Sequence, residues 1–401
     1  MTYLLRCSAC QATPDDPAAA VCPEDGLLLE VMWDFRDQRL TRRTFSGKGV
    51  WRYRQLLPVS GKVEAVTLQE GDTPLYRCKR FEKELGLAEV YVKYEGMNPT
   101  GSFKDRGMTV GVTKARELGM KAVACASTGN TSASLSLYAA QAGMRCIVVL
   151  PGGKVALGKL AQALMHGAEV YTIPGNFDEA LRAVREVCAS SGVYLLNSVN
   201  PYRLEGQKTL AYEVAEGLNW DVPDWVVLPV GNAGNISAIY KGFKEFHQLG
   251  FTHKVPRMAG IQAAGAAPVA DAVARGRRAI RPVESPETVA TAIRIGNPVN
   301  APRALTAISE SKGAAAAVPD EAILEAQLDL AQMEGIAVEP ASAASIAGLR
   351  KLVETGAIKK GSRAVCVATG HLLKDPEGVL KSVGGPVEVT VEELVKKLKN
   401  S

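Results

Sequence analysis

The sequence lacks the features that mark several large classes of protein. No apolar stretch reaches the roughly 18 residues that a membrane-spanning helix needs, and the apolar start of the chain is too short for a signal peptide. No run of five or six lysines or arginines occurs, and the net charge of +5 is spread over 401 residues. We therefore expect a soluble, cytoplasmic protein with no membrane and no nucleic-acid partner.

Histidine is scarce, and two hydrolytic motifs are missing. The chain has four histidines and neither an H-E-x-x-H nor a G-x-S-x-G motif. These absences exclude zinc proteolysis and the common serine-hydrolase arrangement. The eight cysteines are too sparse for a secreted disulfide framework, and most of them stand in apolar runs where a reduced thiol packs as a small hydrophobic group.

The pattern of apolar residues predicts an α/β protein. Short β-branched runs alternate with stretches of helical spacing from about residue 89, which is typical of βαβ units and parallel sheets. We expect two open, mostly parallel twisted-sheet lobes with a ligand site in the cleft between them. The predicted division is an N-terminal cysteine-containing arm (1–50), a large domain (51–97 with 200–401) and a small domain (98–199).

Three glycine-bearing junctions each lead from a predicted strand into a predicted helix, at residues 98–105, 127–132 and 229–235. Helix N-termini have unpaired N–H groups and a partial positive charge, so ligands of α/β proteins bind at such places. The third junction, Gly231-Asn-Ala-Gly-Asn235, has no basic residue, so we predict that backbone dipoles hold a phosphate there. Any one junction is also consistent with a simple helix cap.

Lys104 stands at the first junction, where a positive helix end should lower its pKa. A lysine in this position suits an imine with an aldehyde cofactor. The segment Asn98-Pro-Thr-Gly-Ser-Phe-Lys104-Asp-Arg-Gly107 resembles the lysine segment of the pyridoxal-phosphate (PLP) enzymes of the tryptophan-synthase-β fold. Within that fold, residues 197–209 and 369–376 resemble the threonine synthases. The resemblance extends from about residue 70 to residue 376.

The resemblance implies how the cofactor is bound. Lys104 would form the imine with PLP and, once the substrate displaces it, would remove the Cα proton as a base. Asn130 would hydrogen-bond the 3′ oxygen of the pyridine ring, and Thr369 the ring nitrogen. The phosphate of PLP would be held by Gly231, Asn232, Ala233, Gly234 and Asn235.

The resemblance also implies the substrate and the reaction. O-phospho-L-homoserine and water would give L-threonine and phosphate, by γ-elimination and then β-addition. The substrate carboxylate would bind to Ser127, Thr128, Gly129 and Thr131, and its phosphate to Asn197, Ser198 and Arg203. An arginine suits a phosphate because its guanidinium can bind two oxygens at once. A homodimer is the family expectation.

The same residues also have plainer interpretations. The hydroxyl groups of the 127–131 turn could cap a helix, and Arg203 could lie on a helix surface. His371 and Lys374, which follow Thr369, are candidates for a secondary role near the cofactor or for a structural one.

Three alternative functions remain open at this point. An O-phosphoserine-dependent β-replacement enzyme, such as cysteate synthase, would also need Arg203. A threonine dehydratase would need no phosphate pocket and would carry a serine opposite the ring nitrogen, so Thr369 and residues 197–203 favour the synthase. A catalytically silent binding protein would have no chemical reason to keep Lys104, Asn130 and Thr369 together.

The N-terminal arm resembles the zinc ribbon of some threonine synthases, through Cys7-x-x-Cys10 and Cys22-Pro-Glu-Asp25. A closed structural zinc site has four nitrogen or sulfur ligands, and Asp25 stands where the last cysteine should be. We therefore predict no stably bound zinc. Cys7, Cys10 and Cys22 are weak metal candidates only, and PLP is the expected cofactor.

Overall fold

Three separate β-sheets organise the chain in a computed structural model, which describes residues 2–36, 39–152, 157–174, 177–376, 386 and 388–399. The strands are β1 (Tyr3–Cys7), β2 (Leu29–Trp33), β3 (Leu75–Arg77), β4 (Glu89–Tyr94), β5 (Ala122–Ala126), β6 (Arg145–Pro151), β7 (Glu169–Ile173), β8 (Tyr194–Leu195), β9 (Trp225–Pro229), β10 (Arg257–Ala263), β11 (Ala314–Val318) and β12 (Arg363–Ala368).

Helices connect these strands and cover the sheets. They are α1 (Lys79–Leu85), α2 (Lys104–Glu117), α3 (Asn130–Ala142), α4 (Leu157–Met165), α5 (Phe177–Ser191), α6 (Pro201–Gln207), α7 (Thr209–Gly217), α8 (Gly234–Gln248), α9 (Pro268–Ala274), α10 (Ala301–Glu310), α11 (Asp320–Glu334), α12 (Pro340–Glu354) and α13 (Val391–Lys399). Short 3-10 turns occur at Arg42–Thr44, Val50–Leu56, Glu95–Met97, Ala264–Ala266, Thr291–Ile293 and Leu372–Lys374.

The two larger sheets are parallel apart from one edge strand. The six-stranded sheet has the order β11-β10-β9-β12-β4-β3, in which only β3 is antiparallel to its neighbour. The four-stranded sheet has the order β7-β6-β5-β8 and is parallel throughout. The predicted α/β class with two mostly parallel sheets is confirmed. The domain boundaries stay a prediction.

The interior strands β5 and β9 are apolar along their whole length, as expected where helices cover both faces of a parallel sheet. All five residues of β5 are buried, and so are all five of β9. The helical segment after β8 is divided in two: α6 ends at Gln207 and α7 begins at Thr209.

The N-terminal arm is a two-stranded antiparallel hairpin of β1 and β2 that packs against other parts of the chain. The indole Nε1 of Trp33 donates to Glu205 at 2.7 Å, and the hydroxyl of Tyr202 donates to Pro17 O at 2.8 Å. The Arg303 guanidinium donates to Leu29 O at 2.9 Å and pairs with Glu30 at 2.6 Å. The arm is therefore docked on α6 and α10.

None of the helices described above is both long enough and apolar enough to span a membrane.

Candidate active site

The segments predicted to form the site follow the carboxyl ends of parallel strands. The lysine loop follows β4, Thr369 follows β12 and the glycine loop follows β9, and these three strands are neighbours in the six-stranded sheet. The 127–131 turn follows β5 and Asn197 follows β8, which are neighbours in the other sheet. Ligands of open α/β sheets bind at this edge.

Backbone and side-chain hydrogen bonds hold the lysine loop in place. Phe103 N donates to Thr369 O at 3.0 Å, next to a β-bridge between Ser102 and Gly370. The Asp105 carboxylate accepts from Thr100 N at 2.7 Å and from Ser134 Oγ of α3 at 2.5 Å. The two neighbours of Lys104 in the chain are thus hydrogen-bonded, Phe103 to the residue after β12 and Asp105 to α3.

Lys104 has the character of a reactive amine. Burial and, to a smaller extent, the nearby positive charge of Arg203 together lower its pKa to about 7, while the nearby Glu339 opposes the shift. Its ammonium nitrogen lies 3.9 Å from the centre of the Phe103 ring. The direction agrees with the sequence prediction, but the cause is burial and Arg203, not the helix end.

Glycines let α2 and α6 approach closely. A Cβ at Gly206 would lie 1.8 Å from Arg106 O, and one at Gly107 would lie 3.0 Å from Arg203 O. A Cβ at Gly111 would lie 2.7 Å from the side chain of Leu196. Because these positions have no side chain, Arg203 of α6 lies beside the helix that begins at Lys104.

Arg203 is not on a helix surface: 1% of it is exposed. Its Nε and Nη1 atoms have no hydrogen-bond partner in the described structure, and burial lowers its pKa to about 10. A buried guanidinium without a carboxylate is costly, so its position indicates an anion as partner.

The glycine loop presents a second set of free polar atoms. Neither Asn235 Nδ2 nor Asn235 Oδ1 has a partner among the described residues, although the residue is only 9% exposed. Ala233, not an asparagine or a glycine, has the left-handed backbone (φ 65°) that starts α8. A Cβ at Gly231 would lie 3.2 Å from Ala292 O, so glycine there permits a close backbone approach. The N-terminus of α8 with its free amide fits a phosphate.

Thr369 adjoins the lysine loop through its backbone oxygen, and Asn130 contacts Glu339, whose charge acts on Lys104. Thr369 Oγ1 lies 3.0 Å from Ser342 Oγ, which also accepts from Gly370 N at 2.8 Å, so its hydroxyl is fixed. The Ser102 hydroxyl beside Lys104 is buried and has no recorded partner. These atoms and the free amide of Asn235 fit a ring that carries a phosphate, as PLP does.

The sequence prediction missed Glu339, the residue before α12. Asn130 Nδ2 donates to both of its carboxylate oxygens at 3.2 Å. Glu339 is 3% exposed, burial raises its pKa, and Lys104 and Lys374 both lie near enough to oppose that shift. In the sequence it is a single acid before Pro340, and only its proximity in space to Asn130 identifies it.

The three residues predicted to bind the substrate phosphate differ in their hydrogen bonds. Asn197 accepts from Ala126 N at 2.9 Å and donates to Ala126 O at 3.0 Å, so its amide holds β5 in place. Ser198 O accepts from Asn300 Nδ2 at 3.1 Å. Arg203 differs from both, because its buried Nε and Nη1 atoms have no hydrogen-bond partner among the described residues.

The remaining candidates of the site have modest roles in the structure. Ser127 Oγ accepts from Gly129 N at 3.2 Å, within the turn that starts α3. His371 Nδ1 accepts from Leu373 N at 3.1 Å and caps the short turn that follows. The ammonium of Lys374 donates to Gln162 of α4. Both His371 and Lys374 thus have structural contacts. For Thr128 and Thr131, only the position in the turn supports a role.

The arm brings together its four possible metal ligands. Cys7, Cys10, Cys22 and Asp25 each offer one ligand atom, and all four atoms lie within 4.8 Å of one another. A hydrogen bond from Leu27 N at 2.9 Å lowers the pKa of Asp25 to about 2, so it is an anionic ligand. The four residues fit a tetrahedral zinc ion. The sequence argument against zinc, that Asp25 stands in place of a fourth cysteine, is thereby weakened because the aspartate lies with the three thiols.

Comparison with known proteins agrees with this arrangement. The sequence model of the family described as "Pyridoxal-phosphate dependent enzyme" matches residues 66–370. The chain is 58% identical over 390 residues to a threonine synthase of Methanosarcina acetivorans, covering 96% of each protein. It is 55% identical over 401 residues to a threonine synthase of Methanocaldococcus jannaschii, covering 98% of each.

Among solved structures, maize serine racemase has a similar fold. The TM-score is 0.66 at 20% identity, and the match covers 82% of this chain and 92% of the racemase. At this identity the likeness concerns the fold alone.

Proposed function

The chain belongs to the family of pyridoxal-phosphate-dependent enzymes, and we propose that it acts as a threonine synthase with the residue roles given below. The reaction converts O-phospho-L-homoserine and water to L-threonine and phosphate. The cofactor is pyridoxal 5′-phosphate, which supplies the electron sink for carbanion chemistry at the substrate. Identity of 58% over 96% of a threonine synthase supports this function above the dehydratase and the β-replacement enzyme.

The single observation that carries the substrate assignment is the state of Arg203. It is buried, its Nε and Nη1 atoms have no partner, and its charge acts on Lys104. A phosphate bound there would gain charge-assisted hydrogen bonds and would lie close to the amine. When the Cγ–O bond of the substrate breaks, the leaving phosphate carries negative charge that this guanidinium stabilises.

Lys104 has two tasks in this proposal. Its amine attaches the cofactor, and after displacement by the substrate it accepts the Cα proton at Nζ. With a pKa near 7 the amine is neutral in a large fraction of molecules at neutral pH, which both tasks require.

The remaining assignments follow the free donors of the site. Gly231, Asn232, Ala233, Gly234 and Asn235 at the start of α8 would hold the cofactor phosphate. Thr369 would face the ring nitrogen and Asn130 the 3′ oxygen. The turn of Ser127, Thr128, Gly129 and Thr131 at the start of α3 would receive the substrate carboxylate. Asn197 and Ser198 would shape the phosphate pocket beside Arg203.

Two expectations about the whole protein belong with this proposal. The small-molecule substrate is an amino acid. The family resemblance supports a homodimer, which size-exclusion chromatography with light scattering would test, and the cytoplasmic location stays a prediction from the sequence.

The proposal is tested by offering O-phospho-L-homoserine and O-phospho-L-serine separately to the PLP-loaded protein. Phosphate release and the amino-acid product are both measured. We expect threonine and phosphate from the first compound and little release from the second. Release from O-phosphoserine alone would move the enzyme to β-replacement chemistry, while release from neither would contradict the assignment of Arg203.

A further inference from the structure

Glu339 is built into the site through its backbone. Its N–H donates to Gly370 O at 3.2 Å, and the preceding residue, Val338, forms a β-bridge with His371. The segment that carries Thr369 therefore also fixes Glu339. A Cβ at position 370 would lie 2.5 Å from Glu339 Oε1, so the glycine there leaves the space that the carboxylate occupies.

The recorded hydrogen bonds of this carboxylate both come from Asn130. The amide nitrogen Nδ2 lies 3.2 Å from each carboxylate oxygen, across 209 residues of sequence. The contact joins the start of α3 to the residue before α12. Helix α3 follows β5 of the four-stranded sheet, and α12 packs on the six-stranded sheet. It is thus a polar link across the cleft.

An asparagine amide can bind a ligand in two orientations that exchange its donor and its acceptor. A carboxylate neighbour that accepts from Nδ2 favours one of them. Nδ2 carries two N–H groups, and when the two carboxylate oxygens of Glu339 share one of them, the other remains for a second acceptor. The 3′ oxygen of PLP is an acceptor.

We propose that Glu339 is a positioning residue that fixes the amide of Asn130 so that an N–H faces the 3′ oxygen of the cofactor. The inference rests on the proposed role of Asn130. It assigns to Glu339 no contact with the substrate and no proton transfer, because its effect passes through Asn130. The alternative role for Glu339 would be a direct electrostatic action on Lys104.

A double-mutant cycle on cofactor affinity separates these two roles. Apoproteins carrying Glu339→Gln, Asn130→Ala or both are titrated with PLP, and the dissociation constant is measured from the absorbance of the bound cofactor. A hydrogen bond of ordinary net strength is worth about a five- to tenfold change in affinity. We expect each single variant to bind PLP about five- to tenfold more weakly, and the double variant to be no weaker than Asn130→Ala.

Additive losses in the double variant would assign Glu339 a separate action and would overturn the proposal. An unchanged dissociation constant in Glu339→Gln would also overturn it. If Asn130→Ala binds PLP normally, the inference fails together with the role of Asn130, while phosphate release from O-phosphohomoserine still tests the proposed reaction.

Two further variants guard against unfolding. Glu339→Asp keeps a carboxylate one carbon further from Asn130, and its PLP affinity should lie between those of the wild type and Glu339→Gln. Glu334→Gln is the matched control because Glu334 accepts from Arg80 N and Phe81 N, outside the cleft. It should bind PLP normally, and thermal melts of the apoproteins check that each variant is folded.

Discussion

Two buried arginines on either side of the α2–α6 contact differ in what neutralises them. Arg106, with 0% exposure, donates to Glu95 at 2.6 Å and to Glu213 at 2.6 Å, and both carboxylates keep its pKa well above the usual value against the effect of burial. Arg203, with 1% exposure, has no carboxylate partner among the described residues, and burial lowers its pKa to about 10. The protein itself pairs the first charge and leaves the second for an anion.

The comparison separates structural from functional burial of charge. The charges around Arg106 form a closed set, in which Lys93 also pairs with Glu213 at 2.6 Å. Such a set is destabilised strongly when one member is removed. The free donors of Arg203 are a standing cost to the fold that a bound phosphate would offset. Replacing Arg106 should therefore lower the stability of the fold, whereas the same replacement at Arg203 should leave the stability intact and lower the activity.

The largest expected effect is on the closed set. Arg106→Met leaves Glu95 and Glu213 buried without their main partner, so we expect a loss of about 3–5 kcal/mol in the free energy of unfolding. Chemical denaturation of the apoprotein measures it. A variant as stable as the wild type would mean that Arg106 is not the structural member of the comparison.

The same substitution at Arg203 should do the reverse. Arg203→Met removes a buried charge without a protein partner, so the free energy of unfolding should be unchanged or higher by up to about 1 kcal/mol. For O-phosphohomoserine, kcat/KM should fall about 100-fold, equivalent to about 2.7 kcal/mol. Steady-state kinetics and the same denaturation experiment measure both. Loss of stability at Arg203 would abolish the contrast.

A smaller effect should appear in the pH dependence of Lys104. Its pKa is lowered to about 7, so the neutral amine that reacts with PLP increases as the pH rises through 7 and is lost below it. Arg203→Met removes a positive neighbour, so the midpoint for covalent PLP uptake should move upward, by about one pH unit at most. Stopped-flow absorbance of apoprotein mixed with PLP gives the midpoint. A downward shift would contradict the charge effect assigned to Arg203.

The smallest effect is expected at the N-terminal arm, where the groups that await a partner are metal ligands and the partner would be a cation. Cys7, Cys10, Cys22 and Asp25 bring four possible metal-ligand atoms within 4.8 Å of one another, as Arg203 brings a buried positive charge to the active site. Their geometry and the sequence prediction point in opposite directions, and the geometry favours about one zinc per chain. A chelator should then lower the melting temperature by about 2–4 °C. Metal analysis that finds no zinc would favour the sequence prediction.

The sequence predicted the strand-to-helix junctions of the site, because their glycines and apolar flanks are local signals. Lys104 was found from its junction and the family resemblance. Glu339 could not be found this way because its meaning depends on Asn130, 209 residues away.

Two details of local chemistry also escaped the sequence. Asn197 stays a predicted phosphate-pocket residue, and its amide also completes the backbone pairing of Ala126, which depends on how β8 meets β5. The left-handed residue of the glycine loop is Ala233, where propensity would favour glycine or asparagine. In both cases the tertiary contacts decide the conformation, and the sequence does not contain them as a pattern.

The close approach of α2 and α6 also limits which sequences this protein can explore. Gly107, Gly111 and Gly206 each face a neighbour that any larger residue would strike, while Nε and Nη1 of Arg203 beside them have no hydrogen-bond partner in the described structure. A library that randomises these four positions together should lose nearly all variants at the glycines and retain many at Arg203. Variants with altered substrate preference should therefore be sought by changing Arg203 while the three glycines are kept.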